Sequence, residues 1–346
     1  MAVHKESMAR PRARVRISKA RAAGFLALLV ALLLIGAALL EQFLEKRDFA
    51  RLAASETFAQ LGESRVRYRL LGADKPGPTV VLLHGMLASA EQWEGFQREL
   101  SAKHPVLAYD RGGSGFSESS SAHSGVDQAR ELAQLLDALN IKRPVIVVGY
   151  SISSMEARLF ADQFPEKTAG LVLFDPYLPE RDSVLGDEVP SIHRSYVRTF
   201  SSGCLTALFG IRRFMGSLES QKPSTLQEQR SSALLWSFHF WWAEARDWWA
   251  AQDTQRLVVE SRAPLPPLLY LSNPIADTDP VRPLIFQFVA RSPHGEVRFF
   301  PHEVDHSSLL TSAETRLILA TAIDDLSGQA VQTGASSESS SQPPGQ

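Results

Sequence analysis

Residues 145–154 read VIVVGYSISS, and this stretch decides the fold. Four apolar, mostly β-branched residues run into Gly149, and a segment rich in helix formers begins at Met155. The pattern predicts a buried strand, a sharp turn and a helix, with Ser151 at the apex of the turn. In such a turn the serine hydroxyl lies above the carboxyl edge of a sheet, at a helix N-terminus that favours negative charge. Because an ordinary strand-to-helix turn can look the same, a catalytic interpretation requires a base, an acid and an oxyanion site elsewhere in the chain.

The size, charge and cysteine content of the chain exclude several classes of function. The chain has 346 residues, enough for one large α/β domain with an insertion, and its net charge of −2 gives no general attraction to nucleic acid. Cys204 is the only cysteine, so neither an intrachain disulfide nor a cysteine-based zinc site can form. The sequence also lacks a phosphate-loop motif, a dinucleotide-binding glycine motif and an HExxH motif. We therefore expect no metal and no nucleic-acid partner.

The N-terminal segment has the pattern of a membrane anchor. Residues 1–21 form a strongly basic arm, and residues 22–40 are entirely apolar or small. A helix over this apolar run is about 28 Å long, close to the roughly 30 Å hydrocarbon core of a bilayer. Because the run exceeds the apolar region of most signal peptides and no clear A-x-A site precedes Glu41, an uncleaved signal anchor is favoured over a cleaved signal peptide. The positive-inside rule predicts a single-pass protein with its N-terminus in the cytoplasm and its main domain on the extracytoplasmic side. Residues 41–56 are interpreted as a polar linker that lifts the domain off the bilayer.

From residue 57 to residue 326 the pattern is that of one α/β domain. Two segments of alternating polarity predict a pair of antiparallel edge strands at residues 57–61 and 65–70. Apolar runs predict five further strands, at residues 79–83, 106–109, 145–148, 171–174 and 268–271, and residues 297–300 predict a last strand. The fold class is therefore α/β, with a mostly parallel eight-stranded sheet and helices on both faces. Residues 177–262 interrupt the alternation and predict a helical insertion, whereas residues 327–346 have the composition of a disordered tail.

Residues at the carboxyl edge of the predicted sheet include candidates for a catalytic nucleophile and base. Ser151 is the candidate nucleophile, and a serine hydroxyl needs an adjacent base at neutral pH. Two histidines follow the last predicted strand. His306, in the loop before the final helix, is favoured over His302, which directly follows the strand-ending proline and is held more tightly.

The acid that would orient the base is left open. Asp175 ends the strand that follows the nucleophile strand, whereas Asp277 and Asp279 lie in the loop after the next strand. Each position can bring a carboxylate to an imidazole at this edge of the sheet.

An acyl-transfer site also needs two N–H donors for the oxyanion of the tetrahedral intermediate. The backbone N–H of Ile152 follows the nucleophile directly, and the N–H of Met86 lies in the loop after the third strand. His84, at the start of that loop, is interpreted as a structural support.

Five short motifs stand in a fixed order along the chain: HGM at 84–86 with Trp93, YDRGGSGFS at 109–117, GYSIS at 149–153, AGLVLFDP at 169–176 and DHS at 305–307. Together they resemble the α/β-hydrolase superfamily, in its single-domain esterase-like branch. The resemblance runs from about residue 57 to residue 326. It implies that residues 177–262 form a cap and that an ester or similar acyl bond is hydrolysed without a cofactor. It also implies that Ser151 forms the acyl-enzyme and that His306 transfers the protons.

Two departures from the family pattern concern the site. The turn usually reads G-x-S-x-G, but Ser153 and Ser154 stand where small glycines are usual. The added hydroxymethyl groups take up room where the helix packs against the strand, so strain or lost activity is expected first at Ser153. The loop after residues 268–271 lacks the usual G-x-x-D, which raises Asp175 as a candidate acid.

The insertion is rich in aromatic residues, which bears on the substrate. Tryptophans from Trp236 to Trp249 either pack the cap helices, or line a pocket for an apolar acyl chain, or contact the bilayer interface. With the membrane anchor, they make a lipid-like ester a plausible small-molecule substrate. Two other hypotheses stay open: a catalytically inactive hydrolase fold that serves as a binding or scaffold protein, and a haloperoxidase or acyltransferase on the same triad.

Overall fold

The computed structural model describes residues 19–118, 124–186, 189–219 and 222–340, with side chains described as far as residue 330. Most of the predicted basic arm, part of the serine-rich loop and the last six residues lie outside these ranges. At the centre is one eight-stranded sheet. Its strands are β1 (Thr57–Leu61), β2 (Ser64–Leu71), β3 (Val80–Leu83), β4 (Val106–Tyr109), β5 (Val145–Tyr150), β6 (Thr168–Phe174), β7 (Leu268–Ser272) and β8 (Gly295–Phe299).

The strands lie in the order β1-β2-β4-β3-β5-β6-β7-β8. The β1–β2 and β2–β4 pairs are antiparallel and all other pairs are parallel, which confirms the predicted mostly parallel sheet. One detail differs from the prediction: β2 is an interior strand between β1 and β4, and only β1 and β8 are edges. The alternating polarity of β2 remains compatible with an interior position because Arg67, although charged, is buried among carboxylates.

Helices cover both faces of the sheet, because every residue of the central strands is apolar or small on both sides. Val81, Leu83 and Val147 pack on one face, and Val80, Leu82 and Val148 pack on the other. The helices of the main domain are α2 (Glu94–Leu100), α3 (Gly125–Ala138), α4 (Ser153–Gln163), α10 (Val281–Val289) and α11 (Ala313–Ser340). The last helix runs on beyond the buried Leu326 through residues 327–340, whereas the composition predicts disorder there.

Among its described residues the insertion consists of helices joined by turns and short loops, without a strand, as the missing strand pattern predicts. Its main helices are α5 (Asp182–Leu185), α6 (Val189–Leu208), α7 (Ile211–Leu218), α8 (Leu226–Trp236) and α9 (Phe238–Glu260). Trp241 and Trp248 are buried in a separate cap core, whereas Trp242 and Trp249 are exposed. The cap aromatics therefore divide between packing and exposure.

The N-terminal segment forms one continuous helix, α1 (Lys19–Leu52), which is long and apolar enough to cross a membrane. Its apolar part, up to Leu40, is mostly exposed, but Glu41, Asp48 and Leu52 are buried. The helix therefore does not lift the domain off as the expected polar linker: residues 41–52 pack against the cap. Residues 41–52 pack there because two acidic side chains on this part of α1 form ion pairs with the cap. Glu41 and Asp48 bind Arg213 at 2.8 and 2.5 Å.

Candidate active site

The turn after β5 places Ser151 in a left-handed backbone conformation, with φ 57°. This conformation is uncommon for a residue with a Cβ, and it points the serine side chain out of the strand-to-helix connection. The turn is held by a hydrogen bond from the Ser151 N–H to the Phe174 carbonyl at 3.2 Å. Gly149 is required beneath it, because a Cβ there would lie 2.8 Å from the Ser154 Cα and 2.9 Å from the Ser153 carbonyl oxygen.

The two serines that replace glycines are accommodated without the strain expected at Ser153. Ser153 is the first residue of α4 and is not among the positive-φ residues, so its position does not need glycine. Its hydroxyl accepts a hydrogen bond from the Tyr150 N–H and lies 3.0 Å from the Leu83 carbonyl. The Ser154 hydroxyl donates to the Tyr177 carbonyl at 2.9 Å. Both hydroxyl groups therefore tie the turn to its neighbours.

Three residues that lie far apart in sequence meet at the carboxyl edge of the sheet. The Nε2 of His306 lies 3.0 Å from the Ser151 Oγ, and its Nδ1 lies 2.6 Å from the Asp175 Oδ2. The imidazole is about half exposed, whereas the Asp175 carboxylate is largely buried. A carboxylate on Nδ1 fixes the tautomer that leaves Nε2 free to accept the serine proton.

The other sequence candidates lie elsewhere. Asp277 pairs with Arg282 at 3.0 Å and its side chain is 90% exposed. Asp279 accepts a hydrogen bond from the Val281 N–H at the start of α10. His302 is exposed and lies 3.5 Å from Glu314. The structure therefore does not bring these three residues to Ser151.

Two residues that the sequence motifs did not single out hold the His306 loop in place. The ring of Tyr150 stacks on the imidazole, with centroids 4.9 Å apart, and its hydroxyl donates to the His306 carbonyl. The side-chain amide of Asn273 accepts from the Val304 N–H at 2.8 Å and donates to the Val304 carbonyl at 3.0 Å. Tyr150 occupies the variable position of the G-x-S motif, and Asn273 directly follows β7. Both residues lie at the carboxyl end of a strand, since Tyr150 is the last residue of β5, and that position is the signal that the sequence offered.

The loop after β3 approaches Ser151 from the other side. The Gly85 backbone comes close to this turn, since a Cβ on Gly85 would lie 3.2 Å from the Tyr150 Cδ1 and 3.4 Å from the Ser151 Cβ. Met86 and Ile152 both line the cavity in front of Ser151, and within the described ranges neither backbone amide donates to a protein oxygen. The next amide, that of Leu87, donates to the Glu244 carboxylate of the cap at 2.7 Å. A cap side chain therefore fixes the loop that carries Met86.

A buried polar layer supports this loop from below. The Arg111 guanidinium donates to the His84 carbonyl at 2.9 Å. Burial, followed by the charge of Arg111, lowers the pKa of His84 to about 3, so this imidazole is neutral near pH 7. Asp110 accepts from the backbone N–H groups of Ala90 and Phe116, which shapes the loop after β4.

A cavity of about 690 Å³ opens beside Ser151, between the sheet edge and the cap. Apolar side chains of the cap form much of its wall, and two of the polar groups are Arg181 and Gln252. The apolar contributors include Leu185, Val189, Ile192, Tyr196 and Trp248. Across the described part of the chain, no cluster of three or more His, Cys, Asp or Glu residues is arranged to hold a metal.

Comparison with known proteins identifies the class of this fold. A family model described as "alpha/beta hydrolase fold" matches residues 78–207, which include the turn at Ser151 and the loop at Met86. Together with the sheet order and the strand-turn-helix at Ser151, this match shows that the chain has the α/β-hydrolase fold.

Particular relatives share the fold at low identity. An uncharacterized protein of Bacillus subtilis (strain 168), YqjL, is 32% identical over 124 residues, which are 35% of this chain and 48% of YqjL. A thermophilic esterase from Thermogutta terrifontis superposes with a TM-score of 0.56 at 18% identity, over 80% of this chain and 99% of the esterase. A bacterial membrane phospholipase A superposes with a TM-score of 0.52 at 20% identity, over 88% of this chain and 97% of that chain. The alignments with the first curated relatives span only 31% to 48% of the lengths of those proteins.

Proposed function

We propose that this protein is a membrane-anchored serine hydrolase that cleaves an ester or similar acyl bond of an apolar small molecule. The observation that carries the proposal is the Ser151–His306–Asp175 arrangement, with contacts of 3.0 and 2.6 Å, at the mouth of a cavity with apolar walls. An ester substrate is in keeping with two of the structural neighbours, an esterase and a membrane phospholipase A.

The proposed reaction has two halves. The Ser151 Oγ attacks the carbonyl carbon while the His306 Nε2 takes its proton, and the amides of Met86 and Ile152 bind the oxyanion that forms. The tetrahedral intermediate then releases the alcohol, which takes the proton from His306. Water attacks the acyl-enzyme with His306 as base, and the acid product leaves as Ser151 regains its proton.

The apolar helix α1 supports the membrane part of the proposal, because most of its first 22 residues are exposed among the residues that the structure describes. The basic residues that precede it favour a cytoplasmic N-terminus and an extracytoplasmic hydrolase domain. A cavity with a largely apolar cap wall, on a protein held at a bilayer, favours a lipid-like ester as substrate.

The test is hydrolysis of a series of acyl esters of increasing chain length by the full chain in lipid vesicles. We expect hydrolysis by the wild type and a loss of roughly 10³-fold or more in kcat for Ser151→Ala and His306→Ala. A folded wild-type protein that cleaves no ester in the series, or a Ser151→Ala variant that cleaves as fast as the wild type, would refute the proposal.

A further inference from the structure

Helix α7 of the cap carries its apolar stripe on the outside of the protein. Its four apolar side chains recur at the i, i+3, i+4 and i+7 positions of one helix face, and a surface helix normally turns such a face to the core. Here the face is turned away from it. The four residues and their exposed fractions are Ile211 at 42%, Phe214 at 64%, Met215 at 61% and Leu218 at 68%.

The opposite side of α7 is fixed to the cap, so the outward orientation is set by packing. The Arg212 guanidinium lies 3.8 Å from the centroid of the Trp241 ring. Gly216 is buried against Trp236, where a Cβ would lie 2.7 Å from the indole Nε1. Rotation of α7 to bury its apolar face would break both contacts.

Ion pairs hold α7 at one level of helix α1. The Arg213 side chain binds Glu41 at 2.8 Å and Asp48 at 2.5 Å. Gly210, just before α7, lies so close to Glu41 that a Cβ would come within 2.9 Å of its Oε2. Glu41 is the first residue after the apolar run 22–40. The start of α7 is therefore level with the point at which α1 leaves its apolar segment.

The same level of α1 carries exposed apolar groups of its own. Leu39, Leu40 and Phe43 are each about 60% exposed, so the outward face of α7 and the end of the apolar run both present apolar side chains to solvent. α7 does not line the cavity at Ser151, so its apolar face is not part of the substrate site.

We propose that α7 is a second membrane contact, which lies in the bilayer interface with Ile211, Phe214, Met215 and Leu218 immersed at the boundary between headgroups and acyl chains. The partner is the lipid bilayer that α1 crosses, so this inference rests on the anchoring part of the proposed function. An amphipathic helix of this kind binds by burial of its apolar face about 5–10 Å into the interface. Together, α1 and α7 hold the cap in one orientation to the membrane, whereas with α1 alone the whole protein could tilt and could turn about the axis of α1.

The test uses the full chain in phosphatidylcholine vesicles, with Cys204→Ser as background and one cysteine at a time labelled with an environment-sensitive fluorophore. Leu218→Cys probes α7. Leu317→Cys in α11 is the matched control, because both leucines are 68% exposed and α11 packs against the sheet away from α1. Leu29→Cys reports separately whether α1 is in the bilayer. Thermal unfolding of each labelled variant verifies that it is folded.

We expect lipid-borne quenchers to quench the probes at 29 and 218 but not at 317, and aqueous iodide to quench the probe at 218 about threefold less than the probe at 317. If the probe at 29 is in lipid and the probe at 218 is in water, the proposal of a second membrane contact is overturned and the anchor by α1 still stands. A probe at 29 in water refutes the anchor and the inference together. A probe at 218 that is shielded from both quenchers indicates a protein contact and also overturns the inference. None of these results depends on whether Ser151 is catalytic.

Discussion

The side-chain amide of Asn273 ties the end of β7 to the loop that carries His306, which makes Asn273→Ala an informative change. The variant removes two hydrogen bonds to Val304, of 2.8 and 3.0 Å, two residues before His306. At about 0.5–1.5 kcal/mol each, their loss lowers the free energy of unfolding by about 1–3 kcal/mol. The freed loop also lets the imidazole move relative to Ser151, and a displacement of about 1 Å at a reacting group costs on the order of 10²-fold in rate.

The assay is kcat/KM for a soluble ester, together with the thermal midpoint of unfolding. Gln60→Ala is the matched control, since Gln60 also makes two side-chain hydrogen bonds to the backbone, in its case both to carbonyls, at the β1–β2 turn on the far edge of the sheet. We expect Asn273→Ala to lose most of its activity and Gln60→Ala to keep it, although both lose two hydrogen bonds. Equal kcat/KM values for Asn273→Ala and the wild type would refute the role of Asn273 in positioning His306.

Three further predictions concern the acid, the stacking ring and the cap. Asp175→Asn should lower kcat by about 10⁴-fold, as loss of the orienting carboxylate does in other triads, whereas Asp277→Asn should change it less than about twofold; steady-state ester hydrolysis distinguishes them. Tyr150→Phe keeps the stacked ring but loses the hydrogen bond to the His306 carbonyl, so kcat/KM should fall by no more than about tenfold, and a larger loss would show a different role for the hydroxyl. Burial and the nearby Asp247 raise the pKa of Glu244 to about 8. Its contribution to stability is therefore full below its unfolded pKa of about 4.5 and is lost as pH rises through about 8. As pH rises from about 4.5 to about 8, the thermal midpoint of the Glu244→Gln variant should fall less than that of the wild type. Parallel curves of thermal midpoint against pH would contradict the raised pKa of Glu244.

Much of the sheet could be predicted from the sequence because its strands have a local signature. The runs at 80–83 and 145–148 are apolar at every position, as expected of strands covered on both faces. Ser151 and His306 could be selected as candidates for the same reason, since each follows the end of a predicted strand.

The choice of acid could not be made from local sequence. Asp175 and Asp277 each follow a predicted strand, and both precede or lie near a proline. What separates them is the backbone: Asp175 has φ 41° directly after β6, which turns its carboxylate toward the loop of His306, whereas Asp277 lies five residues beyond β7 and faces solvent. That difference depends on how the loops after β6, β7 and β8 meet in space.

The packing of α1 against the cap also could not be predicted from the sequence. A polar helix with Glu41 and Asp48 normally indicates a solvated spacer, and the partner that buries these groups, Arg213, lies 172 and 165 residues away. For α7 the helical period of the apolar residues is visible in the sequence. The outward orientation of that apolar face is not, because it depends on the contacts of α7 with Trp236 and Trp241.

The most direct test of the central claim is to measure where and how fast a fluorophosphonate reacts with the folded full-length chain. Peptide mass spectrometry should find one adduct, on the Ser151 Oγ, because that hydroxyl has His306 at 3.0 Å to accept its proton. His306→Ala should slow this labelling by about 10³-fold or more. A folded wild-type chain without an adduct on Ser151, or a His306→Ala variant labelled at the wild-type rate, would contradict the account.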